Sequence, residues 1–340
     1  MRSASFDAAE PAVSVVMSTF QRSQFLPDVL AAIEMQTLPP GSFEVTVVDD
    51  GSGDGTWTSL VELALRTPIA MQALRLARNV GAGTGRDVGV AESRAPVVVF
   101  TDDDCVPTPT WLSSLTRPFR VSSGNQPPHL VVQGKTVPWS GDEEGAGAWA
   151  RSLWVLGPTW LFETCNIAYR RTDLQQAGSF IDRRDAPSVS AARPFGEDAE
   201  LGWRVMAGGA ELRFEPEAVV EHRHFPAGYG DFLREIWRRQ DFPDLVSRHG
   251  LARRALWRRY FLAPRTAAFD LAVVAGLAAA TARKGKLMLG ILPWVWLALP
   301  EAAHRTGRHP GVRLAQLAMG DAVSLVSLVR GSVRARTMVL

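Results

Sequence analysis

The 340-residue sequence has only two cysteines, Cys105 and Cys165, and three lysines among its 37 basic residues. Two cysteines are too few for a disulfide framework or a zinc cluster. The mean hydropathy of −0.01 argues against a polytopic membrane protein. The first eleven residues lack the apolar segment of a signal peptide. We therefore expect a cytoplasmic chain with reduced thiols.

The small net charge of +2 conceals an asymmetry along the chain. Residues 1–221 contain 18 basic and 28 acidic residues, whereas residues 222–340 contain 19 and 7. This split indicates that the C-terminal part meets an anionic partner, either a membrane or a nucleic acid. The hydrophobic fraction of 46% is enough for a sizeable core, and the length suggests about two domains.

Short apolar runs alternate with helical patterns in the first hundred residues. We predict strands at 13–17, 43–48, 73–76 and 96–100, and a helix over 22–36 between the first two. Continuous apolar strands that alternate with helices indicate a parallel sheet covered on both faces. Polar clusters follow these strands, and open sheets of this class bind ligands at the carboxyl ends of their strands.

The most informative cluster is Thr101-Asp102-Asp103-Asp104, at the end of the fourth run. Three carboxylates at the end of a buried strand repel one another and are costly to desolvate. A bound Mg²⁺ or Mn²⁺ would remove both problems. If the segment stays extended, Asp102 and Asp104 point to the same side. A solvated acidic turn is the alternative.

Two further clusters suit a nucleotide. Asp49-Asp50-Gly51-Ser52 closes the second strand, where a carboxylate can accept from a base N–H or a ribose hydroxyl; a turn or helix cap is the alternative. The glycines between Asn79 and Arg86 predict a flexible loop followed by a fixed cation.

Trp149, Trp154 and Trp160 can stack on a sugar, although we favour core packing for them.

In combination, these clusters resemble the family 2 glycosyltransferases of the GT-A fold. The resemblance spans roughly residues 13–225. Its ordered motifs are Ser18-Thr-Phe-Gln-Arg22, Val48-Asp-Asp-Gly-Ser52, Asn79 with Gly81 and Arg86, Phe100-Thr-Asp-Asp-Asp-Cys-Val-Pro107 with Trp111-Leu112, Thr164-Cys-Asn-Ile-Ala-Tyr-Arg-Arg171, and Gly196-Glu-Asp-Ala-Glu-Leu-Gly-Trp-Arg204. It implies an α/β fold, Rossmann-like, with a mostly parallel sheet and helices on both faces, followed here by a C-terminal helical extension.

The resemblance also implies roles for individual residues. Asp198 corresponds to the catalytic base, and Asp104 to the metal ligand, with Asp102 beside it at the metal or near the ribose or sugar. A histidine near the diphosphate and metal corresponds to His222 or His224, and this choice stays open. The expected donor contacts come from Thr19, Arg22, Asp49, Asp50, Arg86, Asp102 and Asp103, and the expected acceptor contacts from Trp160, Asn166, Glu197 and Arg204.

The sequence departs from the family pattern in a few places. Gly85 and Asp87 stand where alanine and asparagine are usual, which suggests a looser loop, and Thr164 replaces a common glycine. No Gln-x-x-Arg-Trp motif follows Asp198, which argues against a processive polysaccharide synthase.

We predict a catalytic domain over residues 1–230 and a basic, apolar helical extension over residues 231–340. Arginines accompany Trp237 and Trp257 at helical spacing, the composition of an interfacial helix. Two apolar stretches, 271–282 and 287–299, are shorter than the roughly 20 residues that span a bilayer. With the intervening cations Arg283, Lys284 and Lys286, they predict a surface-lying or re-entrant hairpin on anionic lipid. An ordinary helical subdomain is the alternative.

We therefore expect an inverting glycosyltransferase that uses Mn²⁺ or Mg²⁺ and a nucleoside-diphosphate sugar. The expected acceptor is a lipid-linked or cell-envelope glycan, and the expected location is the inner face of the cell membrane, with peripheral attachment. A soluble natural-product acceptor and an inactive nucleotide-sugar-binding membrane module are the alternatives. A nucleotidyltransferase would need a glycine- and lysine-rich phosphate loop near the N-terminus, and nucleic-acid binding would need a recognised module; the sequence offers neither.

Overall fold

The computed structural model describes residues 1–120, 129–142, 147–180, 195–304 and 309–340. The chain folds as two compact units. The first comprises residues 1–141 and 152–223, and the second comprises residues 142–151 and 224–340. This division falls seven residues before the domain boundary proposed from the sequence. The proline, serine, alanine and arginine content of residues 182–194 predicts a loop, which lies outside the described residues.

The first unit is built on one eight-stranded sheet. Its strands are β1 (Val13–Thr19), β2 (Phe43–Asp49), β3 (Ala70–Arg75), β4 (Val97–Thr101), β5 (Cys105–Pro107), β6 (Leu130–Pro138), β7 (Asn166–Arg170) and β8 (Glu211–His222). The strand order is β3-β2-β1-β4-β7-β6-β8-β5. The neighbouring strands β3 to β4 are parallel, as is the β6–β8 pair, whereas β7 runs antiparallel to both of its neighbours and β5 to β8. The predicted α/β class with a mostly parallel sheet is confirmed.

Helices connect and follow these strands. The α-helices are α1 (Leu26–Glu34), α2 (Thr56–Arg66), α3 (Ala82–Glu92), α4 (Trp111–Thr116), α5 (Arg171–Ala177), α6 (Glu197–Ala207), α7 (Tyr229–Trp237), α8 (Phe242–Arg248), α9 (Pro264–Ala282), α10 (Leu292–His304) and α11 (Pro310–Ala335). The first six belong to the sheet unit and the last five to the helical unit. Helix α1 begins four residues later than predicted, because residues 22–25 form a turn before it.

The central strands are buried on both faces. Every residue of β2 and β4 is buried, and so are six of the seven residues of β1. This explains why these strands read as continuous apolar runs in the sequence. The third strand begins at Ala70, three residues earlier than predicted, because Met71 and Gln72 also pair with β2.

The glycines after Asn79 do not form the flexible loop that the sequence suggests. Gly83, Gly85 and Gly89 lie inside helix α3. A Cβ on Gly85 would lie 3.0 Å from Ser18 Cβ, and one on Gly89 would press on Val16 of the adjacent strand. These glycines let α3 pack directly on β1, so the expected looseness at Gly85 is wrong.

The helical unit contains apolar helices longer than the sequence stretches indicate. The segments 264–282, 285–303 and 310–335 are each long and apolar enough to cross a membrane. The sequence patterns underestimate the length of these apolar segments, because charged residues such as Arg265 and Glu301 interrupt the apolar runs. In the folded unit these two residues form an ion pair. The average hydropathy therefore does not exclude membrane helices here.

Residues 252–261 are not the continuous helix that their arginine spacing suggests. A 3₁₀ helix covers Gly250–Ala255, and Trp257 then pairs with Phe261 across a tight turn. Arg258 and Arg259 occupy this turn with positive φ angles of 51° and 67°. The side chain of Trp149 packs in the helical core, in agreement with the packing role favoured from the sequence. The same expectation is wrong for Trp154, whose side chain is 63% exposed.

Candidate active site

The predicted donor residues of β1 and β2 lie side by side at the carboxyl edge of the sheet. Thr19 and Asp49 are register partners in adjacent parallel strands, and the backbone N–H of Asp50 donates to the carbonyl of Thr19 at 2.8 Å. The buried carboxylate of Asp49 pairs with Arg75 at 3.2 Å. Asp49 therefore offers a charged group held at the end of β2.

The Asp50 side chain holds the backbone of a neighbouring segment. Its two carboxylate oxygens accept from the backbone N–H groups of Val80 and Gly81, at 2.9 and 2.8 Å. The side chain is buried. Asp50 thereby fixes the segment that leads into α3, and its contribution to a donor site is to position that segment.

The Asp102–Asp104 segment turns between β4 and β5 and does not stay extended. Each of the three carboxylates has a different basic partner. Asp102 Oδ1 accepts from Arg86 at 2.8 Å, Asp103 Oδ1 lies 3.7 Å from Arg22 Nε, and Asp104 Oδ1 lies 3.6 Å from His222 Nε2. The extended conformation on which the prediction for Asp102 and Asp104 depends is therefore absent.

Burial and mutual repulsion change the acidity of this cluster. Burial and the neighbouring charge of Asp104 raise the pKa of Asp103 to about 7. Burial and the charge of Asp102 also raise the pKa of Asp104, although His222 opposes the shift. The buried carboxylates thus lack sufficient compensating positive charge, the situation that a bound cation corrects.

Asp104 and His222 form a donor pair suited to a divalent ion. Antiparallel pairing of β5 with β8 sets Cys105 opposite His222, which brings Asp104 next to the imidazole. His222 Nδ1 donates to the carbonyl of Arg223 at 2.8 Å, so Nε2 faces Asp104. A neutral imidazole in this tautomer presents its lone pair on Nε2. The described contacts thus give His222 a place beside Asp104, whereas His224 belongs to the helical unit.

Cys105 also lies in this cluster, within 4.8 Å of the Asp104 and His222 ligand atoms. Burial raises the pKa of its thiol well above the usual range. The protonated thiol leaves an oxygen and an imidazole nitrogen as the effective donors. This donor set fits Mn²⁺ or Mg²⁺ better than a thiolate-bound ion.

Arg86 links the donor motif to the predicted base. Its buried guanidinium contacts Asp102 at 2.8 Å and Asp198 at 3.4 Å, and it lies over the ring of Phe180. Burial lowers the pKa of Arg86, but the charges of Asp198 and Asp102 outweigh it and the net shift is upward. Arg86 therefore stays charged between two carboxylates that come from β4 and α6.

Asp198 sits in the first turn of α6, where the helix N-terminus favours a negative charge. Its Oδ2 accepts from the hydroxyl of Thr164 at 2.8 Å and from the Thr164 N–H at 3.3 Å. Burial raises the pKa of Asp198, and Arg86 and Thr164 oppose the shift. A half-buried carboxylate oriented by two neighbours is a suitable general base.

The predicted acceptor residues take different places. The Asn166 carboxamide accepts from Trp111 and donates to two backbone carbonyls, all at 2.8 Å, so it is used inside the sheet. Arg204 donates to the carbonyls of Ala177 and Ser179 and holds the end of α5. The carbonyl of Trp160 accepts from Trp203. Glu197 adjoins Asp198 at the start of α6 and acts electrostatically on Arg86.

A polar group that the sequence analysis missed lies next to Asp198. Glu163 Oε2 accepts from Gln133 and Thr159, both at 2.6 Å, and burial raises the pKa of Glu163. Thr164 follows directly in the chain and reaches Asp198. The only sequence feature that pointed to this place was Thr164, which stands where the family usually has glycine. Gln133 of β6 and Thr159 come close to Glu163 only in the folded sheet, so the sequence alone does not show their contact.

The chain is similar to known glycosyltransferases in sequence and in fold. A family model, glycosyl transferase family 2, matches residues 14–177. Glycosyltransferase AglE of Haloferax volcanii is 32% identical over 105 residues, which are 30% of this chain and 33% of that protein. An undecaprenyl-phosphate 4-deoxy-4-formamido-L-arabinose transferase of Pseudomonas aeruginosa is 36% identical over 93 residues, 27% of each chain. The chain thus spans a third or less of these relatives.

Among solved structures, the chain is similar to the mannosyltransferase PcManGT from Pyrobaculum calidifontis, solved with GDP-Man and Mn²⁺. The TM-score is 0.53 at 18% identity, over 96% of this chain and 87% of that one. At this identity the likeness concerns the fold.

Proposed function

We propose that this chain, which belongs to glycosyl transferase family 2, transfers a sugar from a nucleoside-diphosphate sugar to an acceptor hydroxyl with inversion at the anomeric carbon. The observation that carries the proposal is the Arg86 bridge between Asp102 and Asp198. The buried Arg86 joins the predicted donor motif to the predicted base within one charge network.

The donor would bind at the carboxyl edge of the sheet. Thr19 and Asp49 stand at adjacent strand ends, where the carboxylate of Asp49 can accept from a base or ribose. Asp104 and His222 would hold the metal ion, which supplies Lewis-acid stabilisation of the leaving diphosphate. The Mn²⁺ in the PcManGT structure supports this choice of ion.

Asp198 would take the proton from the attacking hydroxyl. Burial makes its carboxylate more basic than an exposed aspartate, while the adjacent Arg86 favours the ionised form that a base needs. Thr164 holds Oδ2, so the carboxylate keeps one orientation. Attack from the face opposite the diphosphate inverts the anomeric configuration.

For the acceptor, we propose a lipid-linked or cell-envelope glycan at the cytoplasmic membrane face. The three apolar helices support a membrane-proximal location. The relative from Pseudomonas aeruginosa, named for transfer to undecaprenyl phosphate, supports a lipid-linked acceptor class.

A donor screen tests the reaction. Purified full-length protein is incubated with UDP-, GDP- and dTDP-sugars with Mn²⁺ or Mg²⁺, and nucleoside diphosphate release is followed. We expect one donor to be hydrolysed slowly, and Asp198→Asn to reduce turnover roughly 10²–10⁴-fold with nucleotide affinity nearly unchanged. Equal loss of binding and turnover in this variant would contradict the assignment of Asp198 as the base.

A further inference from the structure

The helical unit exposes large apolar side chains along two packed helical segments. Val274 and Leu277 of α9 are 62% and 64% exposed, and Leu289 and Trp296 of the following segment are 63% and 80% exposed. Only 17% of each of the segments 264–282 and 285–303 is buried. Single exposed apolar residues are ordinary, but a continuous apolar surface over two adjoining helices marks an interaction site.

Charged side chains of α9, α10 and α11 pair with one another between these helices. Arg265 of α9 pairs with Glu301 of α10 and, at 3.1 Å, with Asp321 of α11. Asp321 is 2% exposed and also accepts from the indole N–H of Trp294 at 2.9 Å. Paired charges inside and apolar side chains outside reverse the arrangement of a water-soluble bundle and match a bundle in lipid.

A turn rich in arginine and aromatic residues precedes α9. Arg258 and Arg259 are exposed and adopt left-handed conformations, which are unfavourable for residues other than glycine. The chain end fixes the turn, because Leu340 donates to Tyr260 at 2.7 Å and accepts from Leu262 at 2.9 Å. The fold therefore maintains a strained turn that presents two cations to the outside.

Aromatic rings accompany these cations. The Arg258 guanidinium lies 5.2 Å from the Trp257 ring centroid, and Trp257 and Tyr260 are 39% and 47% exposed. Arginines beside tryptophan and tyrosine are the composition of the membrane–water interface. At the other end of α9, Arg283, Lys284 and Lys286 are exposed as well. Nineteen helical residues, about 28 Å, separate the two basic ends.

We propose that the helical unit embeds the hairpin of segments 264–282 and 285–303 in an anionic lipid bilayer, with the Trp257–Phe261 turn bound to phosphate head groups. The exposed apolar faces supply the insertion, and the basic ends supply the preference for anionic lipid. This attachment is integral, whereas the sequence predicted peripheral attachment. The inference rests on the proposed membrane location and is independent of the transfer reaction.

Vesicle flotation of the full-length chain tests the proposal. The vesicles are phosphatidylcholine alone or with about one quarter phosphatidylglycerol, at low and high salt. We expect binding to both, tighter with phosphatidylglycerol, and bound protein that resists extraction by high salt or alkaline carbonate. Arg258→Gln/Arg259→Gln should lower the affinity for the anionic vesicles roughly 30-fold, about fivefold per arginine. Leu277→Ser/Trp296→Ser should weaken binding to both kinds of vesicle.

Matched controls come from the sheet unit. Arg66→Gln/Arg117→Gln removes two exposed arginines, and Met35→Ser/Leu65→Ser removes two exposed apolar side chains. Binding of these controls should equal that of the unaltered chain. Complete release by salt, equal binding of all variants, or binding to a nucleic acid in place of vesicles would overturn the proposal. Donor hydrolysis, measured on the same samples, separates this result from a failure of the proposed reaction.

Discussion

At the residue scale, Thr164 controls the orientation and acidity of Asp198. The Thr164 hydroxyl donates to Oδ2 and stabilises the ionised form. In Thr164→Val this donor is lost, so the pKa of Asp198 rises. Because the base acts when deprotonated, the acidic limb of the kcat/KM profile should move to higher pH. A pH–rate profile measures this effect, and Thr164→Ser, which keeps the hydroxyl, should restore the original profile. An unchanged limb in the valine variant would separate Asp198 from the proton transfer.

The titration of Asp87 should make the free energy of unfolding depend on pH. Burial raises the pKa of Asp87 to about 6, although its carboxylate accepts from the Phe180 N–H at 2.9 Å. The folded state therefore binds the proton more tightly than the unfolded state. The resulting stability is present below about pH 4 and is lost as the pH rises through about 6.

Asp87→Asn removes this titration and restores the residue usual in the family. Relative to the unaltered chain, the free energy of unfolding of the variant should increase by about 1–2 kcal/mol between pH 4 and pH 7. Urea unfolding across this range measures the difference. Asp7→Asn removes an exposed carboxylate as a control and should not reproduce the increase.

The site residues differ in how far the sequence could predict them. Asp102, Asp104 and Asp198 stand in local motifs, so their proximity to a common site could be expected from strand ends and a helix start. The residues that contact these carboxylates could not be predicted in this way. Arg86 reaches Asp198 across 112 residues, and Glu163 meets Gln133 across 30, because sheet pairing and helix packing bring them together. Asn166 is the opposite case: it belongs to a family motif, but its side chain makes hydrogen bonds within the sheet unit.

At the scale of elements, glycines set the distances between helices and the groups beneath them. Helix α6 carries Asp198, and its Gly202 lies directly over Phe162. A Cβ at this position would lie 2.6 Å from Phe162 Cβ and closer still to the ring. The position of α6 therefore depends on a residue without a side chain.

Gly202→Ala should destabilise the protein by about 1–3 kcal/mol through overpacking and lower turnover by displacing Asp198. Chemical unfolding and donor hydrolysis measure the two effects. Gly230→Ala in α7, where a Cβ meets open space, is the matched control and should change stability by at most about 1 kcal/mol. Equal behaviour of the two variants would refute the packing argument.

The elements also show where sequence patterns mislead. The sequence predicts a helix over 197–207, because the two glycines Gly208 and Gly209 are a stop signal, and α6 has these bounds. Glycine spacing suggested a loop at α3, and arginine spacing suggested a helix at 252–261. In the first case the glycines serve close packing, and in the second the chain end fixes a turn. Both depend on partners distant in the sequence.

At the scale of the whole molecule, the two units have separate cores, one under the sheet and one among α9, α10 and α11. The ligands that we propose for them also differ: a metal ion and a nucleotide for the sheet unit, and lipid for the helical unit. A ligand stabilises the state that binds it, by about 2.7 kcal/mol at one hundred times its Kd. Each ligand should therefore stabilise its own unit first.

Hydrogen exchange of the full-length chain can separate these effects. Mn²⁺ with UDP or GDP should slow exchange in residues 82–101 and 197–207, whereas anionic vesicles should slow exchange in residues 264–303. Asp104→Asn and His222→Gln should each abolish the first effect and retain the second, because they remove one metal donor without altering the lipid surface. His224→Gln should retain both, which distinguishes the two histidines. If His224→Gln lost the metal effect and His222→Gln kept it, the metal would not bind at β8. The donor pocket would then need a different assignment.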